Sequence, residues 1–94
     1  LISDFKQAVI KIVASTKPGE WISYGDVAVL AGRPRAARAV SGILKREKDT
    51  LPWHRVVGKG GKISIKDPEL KQKQITKLQQ EGLKISKMGQ ISNS

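Results

Sequence analysis

A chain of 94 residues, 38% apolar and 28% charged, has the make-up of one globular domain and too much apolar content for a disordered one. Eighteen Lys and Arg stand against eight Asp and Glu, giving a formal charge of +10 and a pI near 10.2, a balance that favours a polyanionic partner. With no cysteine and a single histidine, disulfides, thiolate metal sites and cysteine nucleophiles are excluded, and neither a metal nor another cofactor is expected.

Residues 3–15 read as a first helix, because Phe5, Val9, Ile12 and Val13 recur at helical spacing and form one buried stripe. Lys17-Pro18-Gly19 breaks it, and Trp21-Ile22 follow as a short extended segment. Ser23 and Asp26, three residues apart, have the form of a capping box that opens a second helix over about 25–31, with Val27 and Leu30 turned inward. Gly32-Arg33-Pro34 is a tight turn in which Gly ends the second helix and Pro enters the first turn of a third, over about 34–46. At about 100° per residue, Ala36, Ala37, Val40, Ile43 and Leu44 of this helix cluster on one side. Arg35, Arg38, Ser41, Gly42 and Lys45 fall on the other. Two helices joined by a Gly-containing turn, the second with a basic outer face, match the helix-turn-helix pattern. Small Ser41 and Gly42 permit close approach of a nucleic-acid backbone, while Arg33, Arg35, Arg38 and Lys45 are positioned to meet phosphates or to send one Arg into a groove. A solvated charged face on a core helix has the same pattern.

Residues 47–50 form a charged loop. In the block from Leu51 to Val57, Pro52 disfavours helix at Leu51 and Val56-Val57 favour a strand. Gly58-Lys59-Gly60-Gly61 reads as a hairpin turn into a strand over 62–65. Asp67 caps a fourth helix with Pro68 at its first position, Leu70, Ile75 and Leu78 on its inner face and Gly82 at its stop. Residues 83–91 fit a weak hairpin around Met88-Gly89, the tail from about residue 86 is expected to be weakly ordered, and Asn93-Ser94 to fray. The chain contains no repeat, so residues 1–94 are taken as one domain.

Three blocks in this order, Ile22-Ser23-Tyr24-Gly25-Asp26-Val27-Ala28, Gly32-Arg33-Pro34-Arg35-Ala36-Ala37-Arg38-Ala39-Val40 and Pro52-Trp53-His54-Arg55-Val56-Val57, resemble the C-terminal domain of O6-alkylguanine-DNA alkyltransferases. The likeness runs from about Phe5 to Ile85. That family carries Pro-Cys-His-Arg-Val, with the Cys as alkyl acceptor. Trp53 stands at the Cys position here, as is common in the alkyltransferase-like proteins. The resemblance implies a mainly α fold with small β segments, a winged-helix-like helix-turn-helix domain. It also implies a non-enzymatic sensor that binds duplex DNA in the minor groove, extrudes O6-alkylguanine from the stack and flags it for nucleotide excision repair. On that footing Arg38 matches the arginine finger that fills the vacated space, and Tyr24 the tyrosine that assists rotation. Trp53, with Tyr24 and backbone groups around Trp53 and Val56, shapes the lesion pocket. His54 and Glu81 match the pair that activates the cysteine in the transferases. With no thiol to activate, they are expected to persist as a structural hydrogen-bond pair.

Arg55 either supports the pocket loop by pairing with a carboxylate or lies on the surface, and Lys59, Lys62 and Lys66 either extend a phosphate track or decorate a solvated hairpin. The chain departs from the family at Ser41, where glycine is usual, in a shorter loop after Glu47, and at Pro68, which cannot donate an N–H in the region that contacts the O6 atom. As in the alkyltransferase-like group, no counterpart of the family's N-terminal domain is expected, and the residues after Ile85 lack the aromatics frequent in that group. Other readings of the same residues are a general helix-turn-helix regulator without base flipping, a residual enzyme and an RNA-binding module. The expected partners are duplex DNA containing O6-alkylguanine and nucleotide excision repair proteins. A monomer without membrane association is expected, in a reducing cytoplasmic setting and on the nucleoid if bacterial, since no apolar run nears the length of a membrane span. The chain opens on Leu1 rather than Met, which leaves the native start open.

Overall fold

The stripe of the first helix buries as its spacing requires: Phe5, Val9 and Val13 are enclosed, with Ile12 partly so. The computed structural model describes residues 2–92, and Asn93-Ser94 lie outside them. The helices are α1 (Ile2–Ala14), α2 (Tyr24–Leu30), α3 (Ala37–Arg46) and α4 (Pro68–Gln80). The described residues also hold four two-residue strands, β1 (Ile22–Ser23), β2 (Val56–Val57), β3 (Lys84–Ile85) and β4 (Ile91–Ser92), with short turns at Trp53–Arg55 and Lys59–Gly61. The mainly helical fold with short β segments is the one expected.

The side chain of Ser23 accepts from the amide of Asp26 at 3.0 Å, so the hydroxyl half of the expected cap forms and α2 opens at Tyr24. Its inward pair is Val27 and Ala28, both fully buried, and the expectation for Leu30 fails: that residue is 66% exposed. In a helix of seven residues Leu30 lies more than a quarter-turn from the midpoint of the buried pair. The third helix starts later than expected, at Ala37. The amide of Arg33 bonds back to the Ala28 carbonyl at 2.9 Å and that of Ala36 to the Arg33 carbonyl at 3.0 Å. Residues 33–36 thus close a turn of their own, and Pro34 and Arg35 stand in it rather than on the helix.

The β2 strand has a different partner from the one expected. It pairs in parallel with β1, Ile22 opposite Val56 and Ser23 opposite Val57. The glycine segment closes as a tight turn over Lys59–Gly61, with Gly60 and Gly61 in the left-handed region at φ of +72° and +86°. The Gly58 amide still reaches the Lys62 carbonyl at 2.7 Å, but the chain then leaves β2, and Lys62 bridges Gln90. At Gly61 the positive φ favours glycine, and a Cβ would also stand tight against that of Ile91, at 3.1 Å.

Successive residues of a strand face opposite ways, and β2 uses this to join two cores. Val56 enters the helical core of α1, α2 and α3, while Val57 enters a second core with Ile63, Leu78 and Ile91. The cap of α4 forms as expected, Asp67 Oδ1 accepting from the amides of Glu69 and Leu70 at 2.9 and 3.4 Å with Pro68 opening the helix. Gly82, at φ +94°, follows its last turn. Its buried face includes Gln74 beside Leu78, a residue the apolar pattern did not single out. The expected hairpin around Met88-Gly89 pairs Ile85 with Ile91, and Ile91 is buried within the segment expected to be weakly ordered.

Candidate nucleic-acid interface and its hollow

Val40, Ile43 and Leu44 anchor α3 in the helical core, which turns Arg38 and Lys45 outward and leaves Ser41 and Gly42 half-buried beside them. The helix carries no acidic residue. Among the described residues neither Arg38 nor Lys45 has an ion-pair partner, and the same holds for Lys48 and Lys66. This surface therefore keeps its positive charge available for an external anion.

Two adjoining hollows lie beside that face. The inner one, of about 70 Å³, is lined by Tyr24, Ser41, Leu44, Lys45, Lys48, Trp53, Ile65 and Leu70. The outer one, of about 520 Å³, shares Tyr24, Ser41, Lys45, Ile65 and Leu70 and adds Ala37, Arg38, Ser64, Lys66 and Asp67. The ring of Trp53 is thus partly exposed at the inner end of an apolar recess that widens toward Arg38. Tyr24, the first residue of α2, packs against the helical core and faces both hollows. Burial raises the pKa of its phenol, which stays neutral and able to donate a hydrogen bond.

A charged hub holds the turn that presents Trp53. His54 Nε2 lies 2.7 Å from Glu81 Oε2, and Arg55 donates to both oxygens of the same carboxylate, from Nη2 at 2.9 Å and from Nε at 3.1 Å. Arg55 Nη1 also donates to the Thr16 carbonyl at 2.7 Å, and the Gly19 amide donates to Glu81 at 3.3 Å. The Arg55 guanidinium, followed by the hydrogen bonds from His54 and Gly19, holds the Glu81 carboxyl at about 2, although desolvation pushes the other way. Arg55 is 9% exposed, so of its two readings the structural pairing is the observed one and the surface reading is wrong. Gln74 adds a second tie, its Nε2 donating to the carbonyls of His54 and Val56 at 3.0 Å each.

Val56, expected at the pocket, does not border a hollow, and neither do Arg33, Arg35 and Gly42, expected on the DNA-binding face. Val56 is fully buried, its side chain directed into the helical core by the pairing of β2 with β1 and its carbonyl engaged by Gln74, so it does not line the pocket. Arg33 lies over the Phe5 ring, 5.3 Å from its centroid. Arg35 is exposed in the 33–36 turn and Gly42 sits on α3 beside Ser41, and neither lines a hollow. Of the three hairpin lysines, Lys66 borders the outer hollow while Lys59 and Lys62 do not. Ile65, Leu70 and Lys48 line the recess without having been singled out for it. They come from a loop, a helix start and another loop, which share no periodicity in the sequence. Among the described residues no group of three or more His, Asp or Glu could hold a metal ion, and no helix is long and apolar enough to cross a membrane.

Residues 4–83 match the family model described as 6-O-methylguanine DNA methyltransferase, DNA binding domain. The chain is 54% identical to a DNA base-flipping protein of Escherichia coli, over 93% of this chain and 68% of that one. It is 36% identical to a protein of the same description from Vibrio parahaemolyticus, over 97% and 92% of the two chains. Its fold superposes on that of S. pombe Atl1, solved in complex with damaged DNA containing O6-carboxymethylguanine, with a TM-score of 0.80 at 29% identity over 98% of this chain and 90% of that one. The chain belongs to the family of the 6-O-methylguanine DNA methyltransferase DNA-binding domain, as one of its alkyltransferase-like members.

Proposed function

We propose that the chain binds duplex DNA through α3 and holds a flipped guanine bearing an O6-alkyl group in the hollow beside Trp53, without transferring the alkyl group. One observation carries the reading: an apolar recess ending at Trp53 opens onto the acid-free face of α3 that bears Arg38. Unpaired cations on that face attract the phosphate backbone independently of sequence. Taking a base out of the stack costs a few kcal/mol, and a damaged base costs least. Arg38, at the border of the wider hollow, enters the vacated space. Tyr24, facing both hollows, assists rotation of the nucleotide, and the Trp53 ring meets the alkyl group.

Trp53 stands where the family resemblance puts the acceptor cysteine, and the chain has no cysteine anywhere, so thiol-based acceptance of the alkyl group is absent. His54 is bonded to Glu81, in keeping with a structural role. A protein that binds the lesion and leaves it in place serves repair by marking it, and nucleotide excision repair is the route we assign to the marked site. The relation to Atl1, seen bound to damaged DNA, supports this reading.

The test is a titration against matched duplexes that differ only in one O6-methylguanine. Tighter binding of the lesion duplex, with protein and base masses unchanged after incubation, is the expected result. Equal affinity for both duplexes overturns the proposal, and a mass gain on the protein overturns its non-enzymatic part.

A further inference from the structure

The inner hollow is apolar along Trp53, Leu44, Ile65 and Leu70, yet Lys45 and Lys48 stand in its lining and no carboxylate does. Nearby acids are engaged or turned away. Glu47 pairs with Lys6 at 3.6 Å and accepts from Thr50, and Asp67 Oδ1 accepts from the first amides of α4. Asp49 is exposed and lines neither hollow. Among the described residues neither lysine has an ion-pair partner.

An apolar recess alone disfavours a charged adduct, because an ionised carboxylate loses its hydration there without compensation. An ammonium at the recess reverses that preference, its alkyl stem lying along the apolar wall and its head meeting the anion. We propose that the pocket favours O6 adducts that end in an anionic group, with Lys48 as the residue that determines this specificity. The inference rests on the reading that the flipped O6-alkylguanine enters this hollow. Lys45 borders the outer hollow as well, beside Arg38, and suits a phosphate equally. Lys48 lines the inner hollow alone.

The experiment compares duplexes carrying O6-carboxymethylguanine, O6-isobutylguanine (its neutral counterpart with as many heavy atoms) or guanine. The wild-type chain is expected to bind the carboxymethyl duplex about fivefold more tightly than the isobutyl one, a partly exposed ion pair's contribution, and less so at high salt. Lys48→Met brings that ratio toward one and Lys48→Arg retains it. Each ratio is internal to one variant, so a change in folded fraction cancels. A wild-type ratio of one or below, with both adducts still preferred over guanine, overturns this inference and leaves the pocket reading standing. So does a Lys48→Met ratio equal to the wild type, or an equal loss on all three duplexes, which assigns Lys48 to a DNA phosphate. No preference for either adduct over guanine removes both.

Discussion

Trp53 is held from behind and open in front. Its turn is tied down through His54, Arg55 and Glu81, while its ring borders the recess between α3 and the segment leading into α4. Arg38, on the same side of the molecule, borders the wider hollow with no internal partner. The two residues therefore separate experimentally. Arg38→Ala is expected to weaken binding of lesion and undamaged duplexes alike, and to shrink the dependence of log K on log salt by about one, since one cation leaves the backbone contact. Trp53→Ala is expected to erode mainly the preference for the lesion, by about tenfold, as aromatic contact with the flipped nucleotide is lost. Titrations of both variants at several salt concentrations distinguish these effects.

At the scale of elements, Glu81 at the end of α4 links that helix to the Trp53 turn, and through Arg55 to the Thr16 carbonyl just past α1. Its carboxyl is held at about 2, below the ordinary 4.5, so its contribution to stability is complete above about pH 4.5 and disappears as the pH falls toward 2. Glu81→Gln is expected to cost about 3 kcal/mol near neutral pH, because Arg55 is left buried without its counter-charge. It should also remove this component of the acid sensitivity. Urea unfolding of both forms between pH 2 and pH 7 measures it, and parallel profiles for the two contradict the assigned role.

Local chemistry made much of this legible in the sequence. The stripe of α1, the Ser23 and Asp67 caps and the hairpin around Gly89 each depend on residues within a few positions of one another. The departures came where distant segments decide. Nothing near Val56 says that its strand pairs with Ile22 or that Gln74 engages its carbonyl, and the two together turn it away from the hollow. Pro34 permits a helix start, but the bonds of Arg33 and Ala36 close a separate turn first. Gln74 is polar and stands on a buried face because two carbonyls of the Trp53 turn wait there, which no periodicity encodes. The site was legible in part for the same reason: Tyr24 and Trp53, read as pocket residues, border the inner hollow, and Arg38, Ser41 and Lys45, read as a DNA-binding face, border one or both hollows, while Ile65, Leu70 and Lys48 complete the recess only through the tertiary fold.

Across the whole molecule, two small cores meet at the parallel pair β1–β2, and the recess lies where elements of both converge. Leu44 comes from the helical core, Ile65 from the segment that leads into α4, and Leu70 from the first turn of α4. Trp21 packs on the second core, away from the cluster that includes Trp53. The two tryptophans therefore report on different halves, and a Trp21→Phe chain leaves Trp53 as the single indole emitter. Titrating that chain with duplexes that differ only in one O6-methylguanine, and following Trp53 emission at saturation, tests most directly whether the modified base arrives against the ring. A marked emission change with the lesion duplex, and little with its guanine counterpart, is predicted. Identical emission from the two saturated complexes contradicts the account.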